Sequence, residues 1–110
     1  MIVTTTQTVE NRSIDEYLGL VAGQSIWEEK MAKEIITGIA SGPSEAVAGY
    51  KDHMTQARLA AIAEMKTKAE KMGADAIVAI AFDHLVIHDD MLMLFASGTA
   101  VKLAEPPLSM

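Results

Sequence analysis

Residues 76–102 read AIVAIAFDHLVIHDDMLMLFASGTAVK, and the fold turns on whether this stretch is a helix or a pair of strands. Two apolar segments, 76–88 and 91–102, flank Asp89 and Asp90, a residue type that favours turns by bonding to its own backbone. β-Branched and aromatic residues recur on both sides of the aspartates, which suits pleated strands. The stretch therefore predicts a β-hairpin. A two- or four-residue turn would set His88 opposite Met91, Val86 opposite Met93, His84 opposite Phe95 and Phe82 opposite Ser97. One face of the ribbon would then carry Ala79, Ala81, Ala96, Gly98 and Ala100, small enough to admit a helix. The other would carry Val78, Ile80, Phe82, Phe95, Thr99 and Val101. A slip of one residue would exchange these faces.

The helix that could cover such a hairpin lies just upstream. From Glu45 to Met72 the residues Val47, Tyr50, Met54, Ala57, Ala61, Met65, Ala69 and Met72 recur at threes and fours, the spacing of one helical face. Gly73 stands where a helix stops. The many alanines on this segment let its backbone lie close to whatever it covers. Before it, SGPS at residues 41–44 interrupts the chain, and Ser44 offers a cap. A shorter helix is predicted from Ser25, because SIWE at 25–28 has the spacing of a capping box and Trp27, Met31, Ile35 and Ile39 recur at fours.

Residues 2–9, IVTTTQTV, predict a short edge strand, with Asn11 and Arg12 in the turn that follows. Residues 14–22 predict a second strand, with Ile14, Glu16, Leu18 and Leu20 on one face and Asp15, Tyr17, Gly19 and Val21 on the other. The tail AEPPLSM, 104–110, has adjacent prolines and extends neither element, so residues 105–110 are expected to be mobile or to dock. The fold class is α+β: a small antiparallel sheet with a long covering helix, in a single domain over 1–110. Both faces of the hairpin are apolar while one long helix covers only one face. The second face needs the shorter helix or another copy of the chain.

Composition bears on the same point. The chain has 110 residues, 50% hydrophobic and 22% charged, the profile of one globular domain. A chain this short buries a smaller share of its surface than a longer one, so an apolar excess points to self-association. Fifteen acidic residues against nine basic ones, net charge −6, with the basic residues scattered, argue against a nucleic-acid partner. Cysteine is absent, which excludes disulfides, thiolate metal clusters and cysteine nucleophiles. The N-terminal MIVTTTQTVENRS lacks a basic start with an apolar core, and no apolar run nears the ~20 residues that span a bilayer. The expected location is the cytoplasm, with no membrane partner.

The segment FDHLVIHDD, 82–90, holds the densest set of polar chemistry: His84, His88, Asp89 and Asp90 are the candidate metal ligands. On a regular strand, residues four apart stand about 13 Å apart at about 3.3 Å per residue. A metal ion binds imidazole nitrogen at about 2 Å, so His84 and His88 cannot share an ion there. A site needs a curl at His88, Asp89 and Asp90, or copies of one histidine meeting at a symmetry axis. His53, on the polar side of the long helix, reads as solvated. Glu28 and Glu29 favour a helix N-terminus rather than acid–base work. The methionines Met54, Met65 and Met72 follow the helix's apolar spacing and read as core. SGTAV, 97–101, lacks phosphate-loop spacing. Tyr17, Arg58 and Asp75 are candidate interface residues for a ligand, and a hydrolase or transferase site would have to be assembled from such distant groups. No catalytic residue and no cofactor are expected.

Several blocks together resemble the YbjQ-like family: Thr5 and Thr6, EYLGLVAG at 16–23, Tyr50, Ala57 with Arg58, GADAIV at 73–78 and SGTAVK at 97–102. That family is of uncharacterised function and carries a heavy-metal-binding label. The resemblance implies a dodecin-subunit-like β-α-β-β core with a short N-terminal strand and an extra helix. It also implies assembly into a homopentamer, assisted by short strands such as residues 2–9. Two function classes follow: a non-enzymatic homo-oligomeric domain with a small-ligand site between copies, or a protein that binds a divalent metal through histidine and aspartate.

Overall fold

A computed structural model describes residues 1–27, 43–88 and 91–105. Four strands and one helix are described: β1 (Ile2–Val3), β2 (Ile14–Trp27), α1 (Pro43–Lys71), β3 (Ala76–His88) and β4 (Met91–Leu103). They form an α+β fold with one sheet in the order β1-β3-β4-β2. The hairpin β3–β4 is present, and β2 pairs antiparallel to β4 from its other side. β1 pairs parallel to β3, which makes the sheet mixed rather than wholly antiparallel. The expected strand at 2–9 contracts to Ile2–Val3, and the chain stays tied to β3 beyond it through Ile80 N–H to Thr4 O at 3.1 Å and Ala79 N–H to Thr6 O at 2.8 Å. Asn11, with φ 65°, turns the chain back as expected, and the Arg12 N–H donates to Val9 O at 3.1 Å.

β2 runs farther than the sequence implies. Ser25 and Ile26 pair with Leu94 and Met93, so no helix begins at Ser25. The capping-box pattern is local, whereas the apolar run of β4 offers that segment a complete ladder of partners, and the tertiary pairing wins. The rest of the shorter predicted helix, Asp89 and Asp90, and the tail from Pro106 onward lie outside the described residues.

α1 begins at Pro43, a residue whose fixed φ suits a first helical position, so Ser44 stands inside the helix rather than before it. Its end is set by Gly73 at φ 82°, with Gly73 N–H donating to Glu70 O and Ala74 N–H to Ala69 O, both at 3.0 Å. This is a Schellman closure, and glycine fills the one left-handed position it requires. Ala57, Ala61, Met65 and Ala69 are buried as the spacing predicts. They pack chiefly on β2 and β4 and only marginally on β3. The main core joins Ala61, Met65 and Ala69 to Val21, Ile77, Ile80, Ala96 and Ala100. Full burial of a side chain such as Met65 or Ile77 contributes about 1.5–3 kcal/mol.

The hairpin register departs from the one expected, at two places. His88 does pair with Met91, but a shift between Val86 and His88 sets Val86 opposite Leu92, His84 opposite Leu94 and Phe82 opposite Ala96. A second shift, between Val78 and Ala81, puts Val78 opposite Thr99. Ala79 sits at this second bulge with φ 56°. The extra residue brings Ile77 and Ile80 to the same core, so β3 presents these two isoleucines to the helix instead of Ala79 and Ala81. On β4 the small residues Ala96, Gly98 and Ala100 are buried as expected. β2 has its own shifts, between Ile14 and Glu16 and between Tyr17 and Gly19. They separate Leu18, which packs on the core, from Leu20, which is exposed.

Candidate functional site

The helix covers one face of the sheet, and the register defines the other. At its lower end Ala76, Val78, Val101 and Leu103 are buried under Val9 and Ile14, so the N-terminal segment closes that end. Arg12 pins this cover, its Nε donating to Ala104 O at 3.0 Å, with Ala104 N–H donating to Ser13 O at 2.8 Å. Higher up, no described element covers the same face. Leu85, Met93 and Ile26 form one row across β3, β4 and β2, and Asp83, Phe95 and Gln24 form the next. Leu85 and Ile26 are each 53% exposed and Leu20, on the same strand, is 84% exposed. The second row sets an aromatic side chain between an acid and an amide, with the aliphatic groups of the first row beside it.

At the β2 edge of this face lies an open pocket of about 250 Å³ lined by Ala22, Gly23, Gln24, Lys68, Met93 and Phe95. Its floor is apolar and its rim carries one cation. The Lys68 Nζ donates to Ala22 O at 3.0 Å and stands 3.1 Å from Glu64 Oε1, one helical turn away. The Gln24 backbone N–H donates to Glu64 Oε2 at 3.0 Å. That N–H, then the Lys68 hydrogen bond, hold the Glu64 carboxyl below its ordinary range against the opposing effect of burial, with the Lys68 charge adding to the lowering.

The residues singled out in the sequence do not converge. Tyr17 is 70% exposed on β2, opposite Val101. Arg58 is exposed on α1. Asp75 is part of the scaffold: its Oδ2 accepts the Leu103 N–H at 3.0 Å, and its own N–H donates to Val101 O at 2.9 Å. His84 is exposed on β3, and its backbone N–H donates to Asp83 Oδ1 at 2.9 Å. The backbone register shifts between Val86 and His88, so the strand between the two histidines is not regular. Asp89 and Asp90 lie outside the described residues. Among the described residues no group of three metal-ligating side chains occurs. No helix among them is long and apolar enough to cross a membrane.

The pocket at the β2 edge was not legible beforehand, because Lys68 and Phe95 meet only through the pairing of β2 with β4. Gly23 was the one available signal. It stands in the middle of an apolar strand, where a glycine marks close backbone approach.

Residues 1–104 match the model of the YbjQ family, described as "Putative heavy-metal-binding". Among curated relatives, a UPF0145 protein of Halalkalibacterium halodurans is 39% identical over 103 residues, 94% of this chain and 96% of the relative. A UPF0145 protein of Geobacillus kaustophilus is 38% identical over 103 residues, 94% of this chain and 98% of the relative. Among solved structures, a DUF74-family protein of unknown function from Pediococcus pentosaceus superposes with a TM-score of 0.64 at 18% identity, covering 94% of this chain and 98% of that one. That likeness establishes the shared fold.

Proposed function

The chain belongs to the YbjQ family, also named UPF0145, and from that premise we propose that it works as a non-enzymatic, self-associating domain whose copies bury the sheet face that no described element covers. The observation that carries the reading is the row of Leu85, Met93 and Ile26 beside Phe95, which no described element of the chain covers. A second copy is the occupant that fits: the patch has an aliphatic and aromatic centre, and burial of that apolar area is what can bring together copies that each carry net charge −6. The resemblance to YbjQ-like proteins favours a closed ring of five. The pocket at Gln24, Lys68 and Phe95 borders the buried face, so a neighbouring copy would wall it in. Its floor is apolar and the Lys68–Glu64 ion pair closes its rim, which suits a small, mostly apolar ligand. Sedimentation across a dilution series tests the reading: a species larger than one chain that dissociates together with loss of stability supports it. A monomer at micromolar concentration, with stability indifferent to dilution, overturns it.

The family's description supports a second reading, a divalent metal bound by nitrogen and oxygen ligands. Its ligands would be His84 repeated around a symmetry axis, or His88 with Asp89 and Asp90. Titration calorimetry with Zn, Ni, Cu and Co separates this reading from the first. Stoichiometric binding that His84→Ala or His88→Ala removes supports it, and the absence of binding rejects it.

A further inference from the structure

β2 is an edge strand of 14 residues with exposed leucine and isoleucine side chains. A long apolar edge of this kind is a template for strand addition, because no described strand pairs with its outward N–H and C=O groups. Here two of those groups are occupied from within the chain. The Gln24 N–H is taken by the Glu64 carboxylate and the Ala22 carbonyl by the Lys68 ammonium, each at 3.0 Å. The two side chains come from adjacent turns of α1 and hold each other at 3.1 Å. One acceptor and one donor, placed against successive outward groups of the strand, reproduce what a neighbouring strand would supply. The opposite side of the sheet shows a simpler version. There β1 covers only the start of β3, and the His84 N–H is taken by the Asp83 carboxylate at 2.9 Å.

We propose that Glu64 and Lys68 act as a surrogate strand that closes the β2 edge to strand addition, so that copies of this chain meet through other surfaces and the sheet does not extend from molecule to molecule. The proposal is independent of the number of copies in the native assembly, since its test reads change relative to the wild-type chain. Neither side chain belongs to the buried core, so both can be removed without opening a cavity.

The test compares the full-length wild-type chain, the double variant Glu64→Ala/Lys68→Ala, and the conservative double variant Glu64→Gln/Lys68→Arg. The conservative variant keeps an acceptor for Gln24 and a donor for Ala22. Each is followed by light scattering, thioflavin fluorescence and hydrogen exchange of the Gln24 amide at equal concentration, with circular dichroism to verify folding. The expected result is mass growing beyond the wild-type species, thioflavin signal and faster Gln24 exchange on dilution in the alanine variant alone. A folded alanine variant that keeps the wild-type mass overturns the proposal, even if its melting temperature falls, because the pair would then only brace the helix. Growth in the conservative variant equal to that in the alanine variant also overturns it.

Discussion

Gly23→Ala tests the packing that places the site. A Cβ built at Gly23 would lie 2.9 Å from both the Ala61 carbonyl carbon and Met65 Cγ, and closer still to the Ala61 carbonyl oxygen. Non-bonded carbons rest at about 3.5–4.0 Å, so the deficit is between about half an ångström and one ångström at the carbons and larger at the oxygen. Met65 can rotate, but the Ala61 carbonyl belongs to the helix backbone. Relief therefore requires moving α1 off the sheet along the seam of Ala57, Ala61 and Ala69. Overpacking typically costs 1–3 kcal/mol and occasionally more, and a backbone obstacle puts this case near or above about 3 kcal/mol. At about 4–8 °C per kcal/mol for a domain near this size, the melting temperature should fall by roughly 12–24 °C. Denaturant and thermal unfolding at fixed protomer concentration measure it, since self-association would otherwise move the midpoint. A loss below about 0.5 kcal/mol, the range of an ordinary surface substitution, would refute the close approach of α1 to β2.

Met65→Ala empties a fully buried position and should cost about 2–5 kcal/mol in urea unfolding. Asp75→Ala removes the acceptor for the Leu103 N–H and should cost about 1 kcal/mol, read as a lower urea midpoint with unchanged slope. Leu20→Asp with Leu85→Lys charges the sheet face that no described element covers and should reduce the assembled mass in sedimentation while leaving the circular dichroism of the single chain intact. Glu64 supplies a pH dependence. Its carboxyl is held below its ordinary range, so its contribution is complete above that range and fades as pH falls through the lowered folded value. The stability gap between wild type and Glu64→Gln, measured by denaturant midpoints, should therefore be largest at neutral pH and narrow in strong acid.

The hairpin and the long helix were legible because each depends on a pattern the residues carry themselves. Asp89 and Asp90 divide two apolar runs, and the threes and fours from Met54 to Ala69 end at Gly73. The faces of β3 were not legible. Its bulges fall around Ala79 and Ile87, neither of which is a residue type that announces an irregularity. The bulge at Ala79 is fixed instead by distant partners, Thr4 and Thr6. One misplaced residue moves Ile80 from the outer face to the core, which is why pairing by symmetry about the turn failed beyond His88. Ser25 and Ile26 show the reverse case, a local helix signal overridden by the partners that Leu94 and Met93 offer. The candidate site shares this dependence. Tyr17, Arg58 and Asp75 are chemically capable yet lie apart, while Glu64, Lys68, Gln24 and Phe95 are unremarkable in the sequence and are joined only by the edge position of β2.

Native mass spectrometry of gently purified protein decides whether copies of this chain meet through the sheet face that no described element covers. The expected species is a single closed assembly, five subunits by family resemblance, that Leu20→Asp with Leu85→Lys converts to single chains. Folded single chains of the wild-type protein, or an assembly whose subunit number the two charges leave unchanged, would contradict it.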